Sequence, residues 1–159
     1  MIDNISQKRG SHVCFLLGIL VYVFMSASYM LECYLGDRIM MVLIFIMSGL
    51  FLIDAIDSVK LEFAGAAGIK KGIIAFICCG VQTVFARSVA IDLFLPPDMA
   101  KDVVERFIGD KLLLFWYITD DNTVFFFDLV IAVLVVITLA VIILPIIGIA
   151  RKARRPASV

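Results

Sequence analysis

Four long apolar segments, separated by short polar stretches, dominate the pattern of this 159-residue chain. They cover residues 13–31, 39–56, 72–95 and 124–150. A helix needs about 20 apolar residues to cross a bilayer. A membrane-spanning strand would instead alternate over about ten residues, and these segments do not alternate. The pattern therefore predicts an all-α integral membrane protein in which four transmembrane helices form a bundle, with residues 1–159 as a single membrane domain.

The first segment has one other interpretation, a cleaved signal peptide. Lys8 and Arg9 precede it, and the small residues at 26–28 resemble a cleavage site. However, the apolar run is longer than the apolar part of a signal peptide and continues to residue 31. We therefore expect this segment to be retained as a true transmembrane helix.

The distribution of lysine and arginine predicts the orientation. With both termini cytoplasmic, nine of the 14 basic residues lie on the inner side and four on the outer side, while Arg87 lies within the membrane. Basic residues favour the cytoplasmic side of a spanning helix. The tail 151–159 adds a cytoplasmic anchor directly after the last segment, formed by Arg151, Lys152, Arg154 and Arg155.

The second outer loop, residues 96–123, has a pattern of its own. Proline and aspartate at 97 and 98 are typical of a helix start. The apolar residues that follow share one helical face, so we predict a short amphipathic helix over 97–108. We favour a helix that lies on the membrane or caps the bundle. The alternative is a helix that forms a docking surface or a lid.

Composition narrows the functional classes. Hydrophobic residues make up 63% of the chain, charged residues 18%, and the mean hydropathy is +1.09. A net charge of zero argues against nucleic-acid binding. His12 is the only histidine and has no ligand at metal-binding spacing, and no nucleophile motif is present. Cys14, Cys78 and Cys79 lie within apolar segments, which leaves Cys33 without an outer partner. We therefore expect no catalysis, no cofactor and no metal.

Arg87 is the main candidate site. A cation deep in an apolar helix costs about 2.5–3.5 kcal/mol, so it normally has a partner or a function. It lies nine residues before Pro96, or ~13 Å along a helix, and we predict an intramembrane charge pair with Asp128 at comparable depth. Gln82 and Asp92 are secondary polar partners. We favour a pair that fixes the helix arrangement over a substrate or ion pathway or a contact with another subunit.

A second set of charges lies at the inner end of the second segment. Asp54 and Asp57 are about one helical turn apart. They could pair with Lys60, Lys70 or Lys71, or they could line an ion entrance. Pairing is the interpretation that we favour.

Two functional hypotheses follow. The first is a non-catalytic multi-pass membrane protein that acts as a subunit, assembly or regulatory component of a larger membrane complex. Its partners would be the lipid bilayer and other membrane subunits or further copies of itself. The alternative is a small oligomeric channel or transporter that uses Arg87 and the intramembrane acids. A pathway should show more polar or broken helices, so the first hypothesis is preferred.

Overall fold

A computed structural model describes residues 2–31, 35–60, 66–94 and 122–154, and these form four helices. Helix α1 spans Ile2–Met30, α2 spans Asp37–Lys60, α3 spans Ala66–Phe94 and α4 spans Asn122–Ala153. Each is long and apolar enough to cross a membrane. The predicted all-α class with four such helices is therefore confirmed. The amphipathic helix predicted over 97–108 lies outside the described residues.

The helices extend beyond the apolar segments that predicted them. Helix α1 begins at Ile2, well before residue 13, and α3 begins at Ala66, before residue 72. Hydropathy marks where side chains suit an apolar environment, whereas backbone hydrogen bonding continues as long as the residues favour a helix. Alanine and lysine favour a helix strongly, and Ala66, Lys70 and Lys71 belong to the first turns of α3.

Helix α2 is the centre of the bundle, because it packs against all three other helices. Helices α3 and α4 also pack closely on each other, whereas α1 is held mainly by α2. The core side chains on α2 are Met40, Met41, Ile44, Met47, Phe51 and Ala55. Those on the other helices are Met25, Ala75, Cys78, Cys79, Ala86, Val89, Ala90, Ile131, Leu134 and Val141.

Two glycines permit the closest helix approaches. A Cβ atom added to Gly18 of α1 would lie 2.9 Å from the ring of Phe51, a fully buried side chain. A Cβ atom on Gly72 of α3 would lie 3.2 Å from Cγ of Pro145 and 3.3 Å from the Val141 carbonyl oxygen. Proline at 145 cannot donate the helical hydrogen bond to that carbonyl. Glycine at 72 therefore makes room both for the proline ring and for a backbone oxygen without its usual helical hydrogen bond.

These contacts also define the two ends of the bundle. The start of α3 meets the last part of α4 at Gly72 and Pro145, and the Tyr29 ring at the end of α1 packs edge-on against Phe85 of α3. We call the end that contains Gly72 and Pro145 the terminal end, because α1 starts and α4 finishes there. The end that contains Tyr29 and Phe85 is called the loop end.

Candidate functional site

A buried carboxylate joins three helices near the terminal end. Oδ1 of Asp54 on α2 accepts a hydrogen bond from Oγ of Ser11 on α1 at 2.5 Å. The same oxygen accepts one from Nζ of Lys71 on α3 at 3.1 Å, which is also an ion pair. The Lys71 ammonium lies 5.0 Å from the ring centroid of Phe15. We call Ser11, Phe15, Asp54 and Lys71 the terminal node.

The chain order explains why the node forms. Asp54 closes the apolar part of α2, and Lys71 lies just before the apolar part of α3. Because the two helices are joined by a short connection and run antiparallel, these positions lie level with each other. A buried charge is stable only when it is paired and hydrogen-bonded, and Asp54, at 8% exposure, is both.

The neighbouring charges do not enter the node. Asp57 is half-buried one turn further along α2, while Lys60 and Lys70 are exposed. Of the three lysines that the sequence offered as partners, Lys71 is therefore the one that contacts Asp54. An ion entrance needs a carboxylate that water can reach, whereas Asp54 is almost covered. The arrangement instead connects α1, α2 and α3 through one oxygen atom.

Arg87 and Asp128 lie on neighbouring helices, α3 and α4, and each charge acts electrostatically on the other. Both side chains are half-buried. Thr83 and Thr138 join the same two helices, with their hydroxyl oxygens 3.1 Å apart. A direct ion pair stays a prediction.

Gln82 and Asp92, the predicted secondary polar partners, occupy different surroundings. Gln82 is buried at 5% exposure, and its Oε1 atom accepts no hydrogen bond within the described part of the chain. Asp92 is exposed in the last turn of α3. Neither lines the groove beside Arg87 that is described next.

That groove lies between α3 and α4. It has a volume of about 480 Å³, and its walls are mainly apolar. The lining residues are Phe76, Gly80, Thr83, Val84, Arg87, Ser88, Ile91, Ile131, Val135, Thr138 and Leu139. Both threonines also bond to their own helices, Thr83 to the Cys79 carbonyl and Thr138 to the Leu134 carbonyl. Among the lining residues that the structure describes, Arg87 is therefore the one charged group.

The predicted cytoplasmic anchor falls at the end of α4. Arg151, Lys152 and Arg154 are exposed there, and Arg155 lies outside the described residues. These cations extend from the terminal end of the bundle, the end at which Asp54 and Lys71 also lie.

Sequence reasoning missed Ser11 and the two threonines. Ser11 flanks the first apolar segment, and within the described residues it is one of the two donors to Asp54. A useful signal was available, because a carboxylate within an apolar helix requires donors from neighbouring helices. Ser11 is a short polar residue near the start of α1, at the same end of an up-down bundle.

No protein-family profile, curated protein or solved structure matches this chain. Within the described residues, no three histidine, cysteine, aspartate or glutamate side chains are grouped so that they could hold a metal ion. Function is therefore inferred from the geometry of this chain alone.

Proposed function

We propose that this chain is a non-catalytic multi-pass membrane protein that acts as a subunit, assembly or regulatory component of a larger membrane complex. All four helices cross the bilayer, and both termini lie on the cytoplasmic side. The terminal end then faces the cytoplasm, and the groove beside Arg87 opens nearer the other face.

The observation that carries this proposal is the terminal node. Ionisable groups within membranes usually mark ion or substrate pathways, and such pathways run through polar cavities or broken helices. Asp54 is instead covered and bonded to two other helices. Thr83 and Thr138 likewise bond to their own backbones and lie against each other. These polar groups serve the bundle's architecture, which is what a structural subunit needs.

The unequal packing of the helices supports a role among partners. In the apolar stretch of the α1 span, Gly10–Met30, 17% of the residues are buried, compared with 44% in that of the α2 span. Large apolar side chains are exposed along α1, including Val13, Leu16, Leu20 and Val23. Lipid can cover such a face, and so can the helix of a partner subunit.

The orientation is supported by the exposed cations. Lys60, Lys70 and the cluster at 151–154 are all exposed at the terminal end. Basic residues near helix ends are retained on the cytoplasmic side during insertion. Cysteine accessibility to a membrane-impermeant thiol reagent, with single cysteines placed at residues 8 and 152, tests this orientation in intact cells.

The test of the functional proposal is purification of the tagged full-length chain from its native membrane in a mild detergent, followed by mass spectrometry. A similarly tagged, unrelated four-helix membrane protein is the control. We expect at least one unrelated membrane protein in stoichiometric amount that the control does not retain. A pure homo-oligomer or an isolated monomer would contradict the proposal.

A further inference from the structure

The groove between α3 and α4 has the dimensions of a binding site for one flexible chain. Its volume of about 480 Å³ falls within the range of about 300–1,000 Å³ that is common for ligand sites. It extends from Phe76 to Ile91, fifteen residues of α3 or ~22 Å. Gly80 keeps the groove open, because a Cβ atom added there would meet nothing within 4 Å.

The groove suits a narrow occupant, because the two helices that line it contact each other through Thr83 and Thr138, whose hydroxyl oxygens are 3.1 Å apart. A helix that is about 10 Å wide with its side chains does not fit between them. An extended hydrocarbon chain is narrower, and it matches the apolar side chains that form most of the lining.

The polar part of the lining lies towards the loop end. Arg87 and the exposed Ser88 are within about one helical turn of Ile91, where the groove ends. Arg87 is six residues before Leu93, the last residue of the candidate span, or ~9 Å along the helix. Long arginine side chains near helix ends extend towards the membrane interface.

An anionic headgroup complements this end of the groove. The guanidinium group has five N–H donors in a planar fork, which suits the bidentate recognition of a phosphate. Five donors can serve a carboxylate and a phosphate at the same time. An anionic headgroup brings a net negative charge to the guanidinium group, whereas a zwitterionic headgroup brings no net charge.

We propose that the α3–α4 groove binds one acyl chain of an anionic phospholipid, whose phosphate is held by Arg87 and Ser88. The lipid comes from the leaflet at the loop end of the bundle. The proposal depends on the four helices crossing the membrane, but it does not depend on the subunit role.

The test is native mass spectrometry of the full-length chain, delipidated in detergent and titrated with phosphatidylglycerol or phosphatidylcholine. We expect one retained phosphatidylglycerol, bound about tenfold more tightly than phosphatidylcholine, a difference of about 1.4 kcal/mol. The Gly80→Leu variant fills the groove and should lose this lipid. Gly49→Leu is the matched control, because Gly49 lies on α2 and its Cβ position is also open.

A second variant separates recognition from folding. Arg87→Lys keeps the charge but loses the planar fork, so it should reduce the preference for phosphatidylglycerol several-fold while the chain stays folded. Equal binding of both lipids by the wild-type chain would overturn the proposal. So would retention of the lipid by a folded Gly80→Leu variant, or a co-purifying protein that this substitution releases in place of a lipid.

Discussion

The terminal node and the Arg87 site are both charged sites between apolar helices, but they are built differently. The node joins three helices through one carboxylate oxygen, and its carboxylate is almost fully covered. The Arg87 site involves two helices and lies on the lining of an open groove. Arg87 is the more conspicuous residue in the sequence, whereas Asp54 forms the ion pair with Lys71 at 3.1 Å.

The two sites differ in what their charged groups can contact. A carboxylate whose donors come from separate helices fixes how those helices are arranged, and it is hidden from other molecules. A cation beside a groove can also contact a molecule that enters from the bilayer. We therefore assign architecture to the terminal node and lipid recognition to the Arg87 site.

Removal of the node's carboxylate should have the largest effect on stability. Asp54→Ala leaves the Lys71 ammonium and the Ser11 hydroxyl without their acceptor. Loss of one partner of a buried ion pair costs about 3–5 kcal/mol, and we expect the lower value because Lys71 is half-buried. The measurement is the free energy of unfolding, obtained by reversible unfolding in mixed micelles.

Asp57→Ala is the matched control for this variant. It makes the same change one turn along α2, at a half-buried carboxylate outside the node. We expect a change of about 0.5 kcal/mol or less. Equal losses for the two variants would show that the node has no special structural role.

A smaller loss is expected at the contact between α3 and α4. Gly72→Ala places a methyl group against the ring of Pro145 and the Val141 carbonyl, neither of which can move easily. Overpacking of this kind costs about 1–3 kcal/mol. Thermal unfolding in detergent, followed by circular dichroism, measures the loss.

The opposite sign is expected for Gly49→Ala. The Cβ position at Gly49 is open, and alanine favours a helix over glycine by about 1 kcal/mol. A higher midpoint of thermal unfolding for Gly49→Ala and a lower midpoint for Gly72→Ala would show that α3 and α4 approach closely at residue 72. If both variants were stabilised, the α3–α4 contact would be looser than described.

A further loss of stability is expected from the serine in the node. Ser11→Ala removes one hydrogen bond to the Asp54 carboxylate, and a hydrogen bond to a charged group is worth about 1.5–3 kcal/mol. Ser28→Ala is the matched control, because Ser28 is also buried on α1 but donates to the Phe24 carbonyl of its own helix. We expect Ser28→Ala to leave the free energy of unfolding almost unchanged. Similar losses for both serines would argue against a link between α1 and α2 through Ser11.

The fold class was predictable because apolar length alone determines how many helices can cross a membrane. Residues 39–56, for example, needed no knowledge of their neighbours to be recognised as part of α2. The helix ends were less predictable, since α1 and α3 begin in polar stretches. Hydropathy does not distinguish a polar helical turn from a polar loop.

The site was predictable only in part. The sequence favoured a lysine partner for Asp54 over an ion entrance, but the choice among Lys60, Lys70 and Lys71 depends on the helix faces and the register. Ser11 was missed because its role depends on how α1 packs against α2. The groove was also missed, because it arises from the absence of a side chain at Gly80 and from the spacing of two helices.

The most direct test of the central claim is a comparison of two double-mutant cycles, measured as free energies of unfolding in the same micelles. One cycle combines Asp54→Ala with Lys71→Ala, and the other combines Asp128→Ala with Arg87→Ala. We predict a coupling energy of about 2 kcal/mol in the terminal node and about 0.5 kcal/mol in the Arg87 site, within the range known for contacting residues. A coupling in the Arg87 site equal to or larger than that in the node would contradict the account.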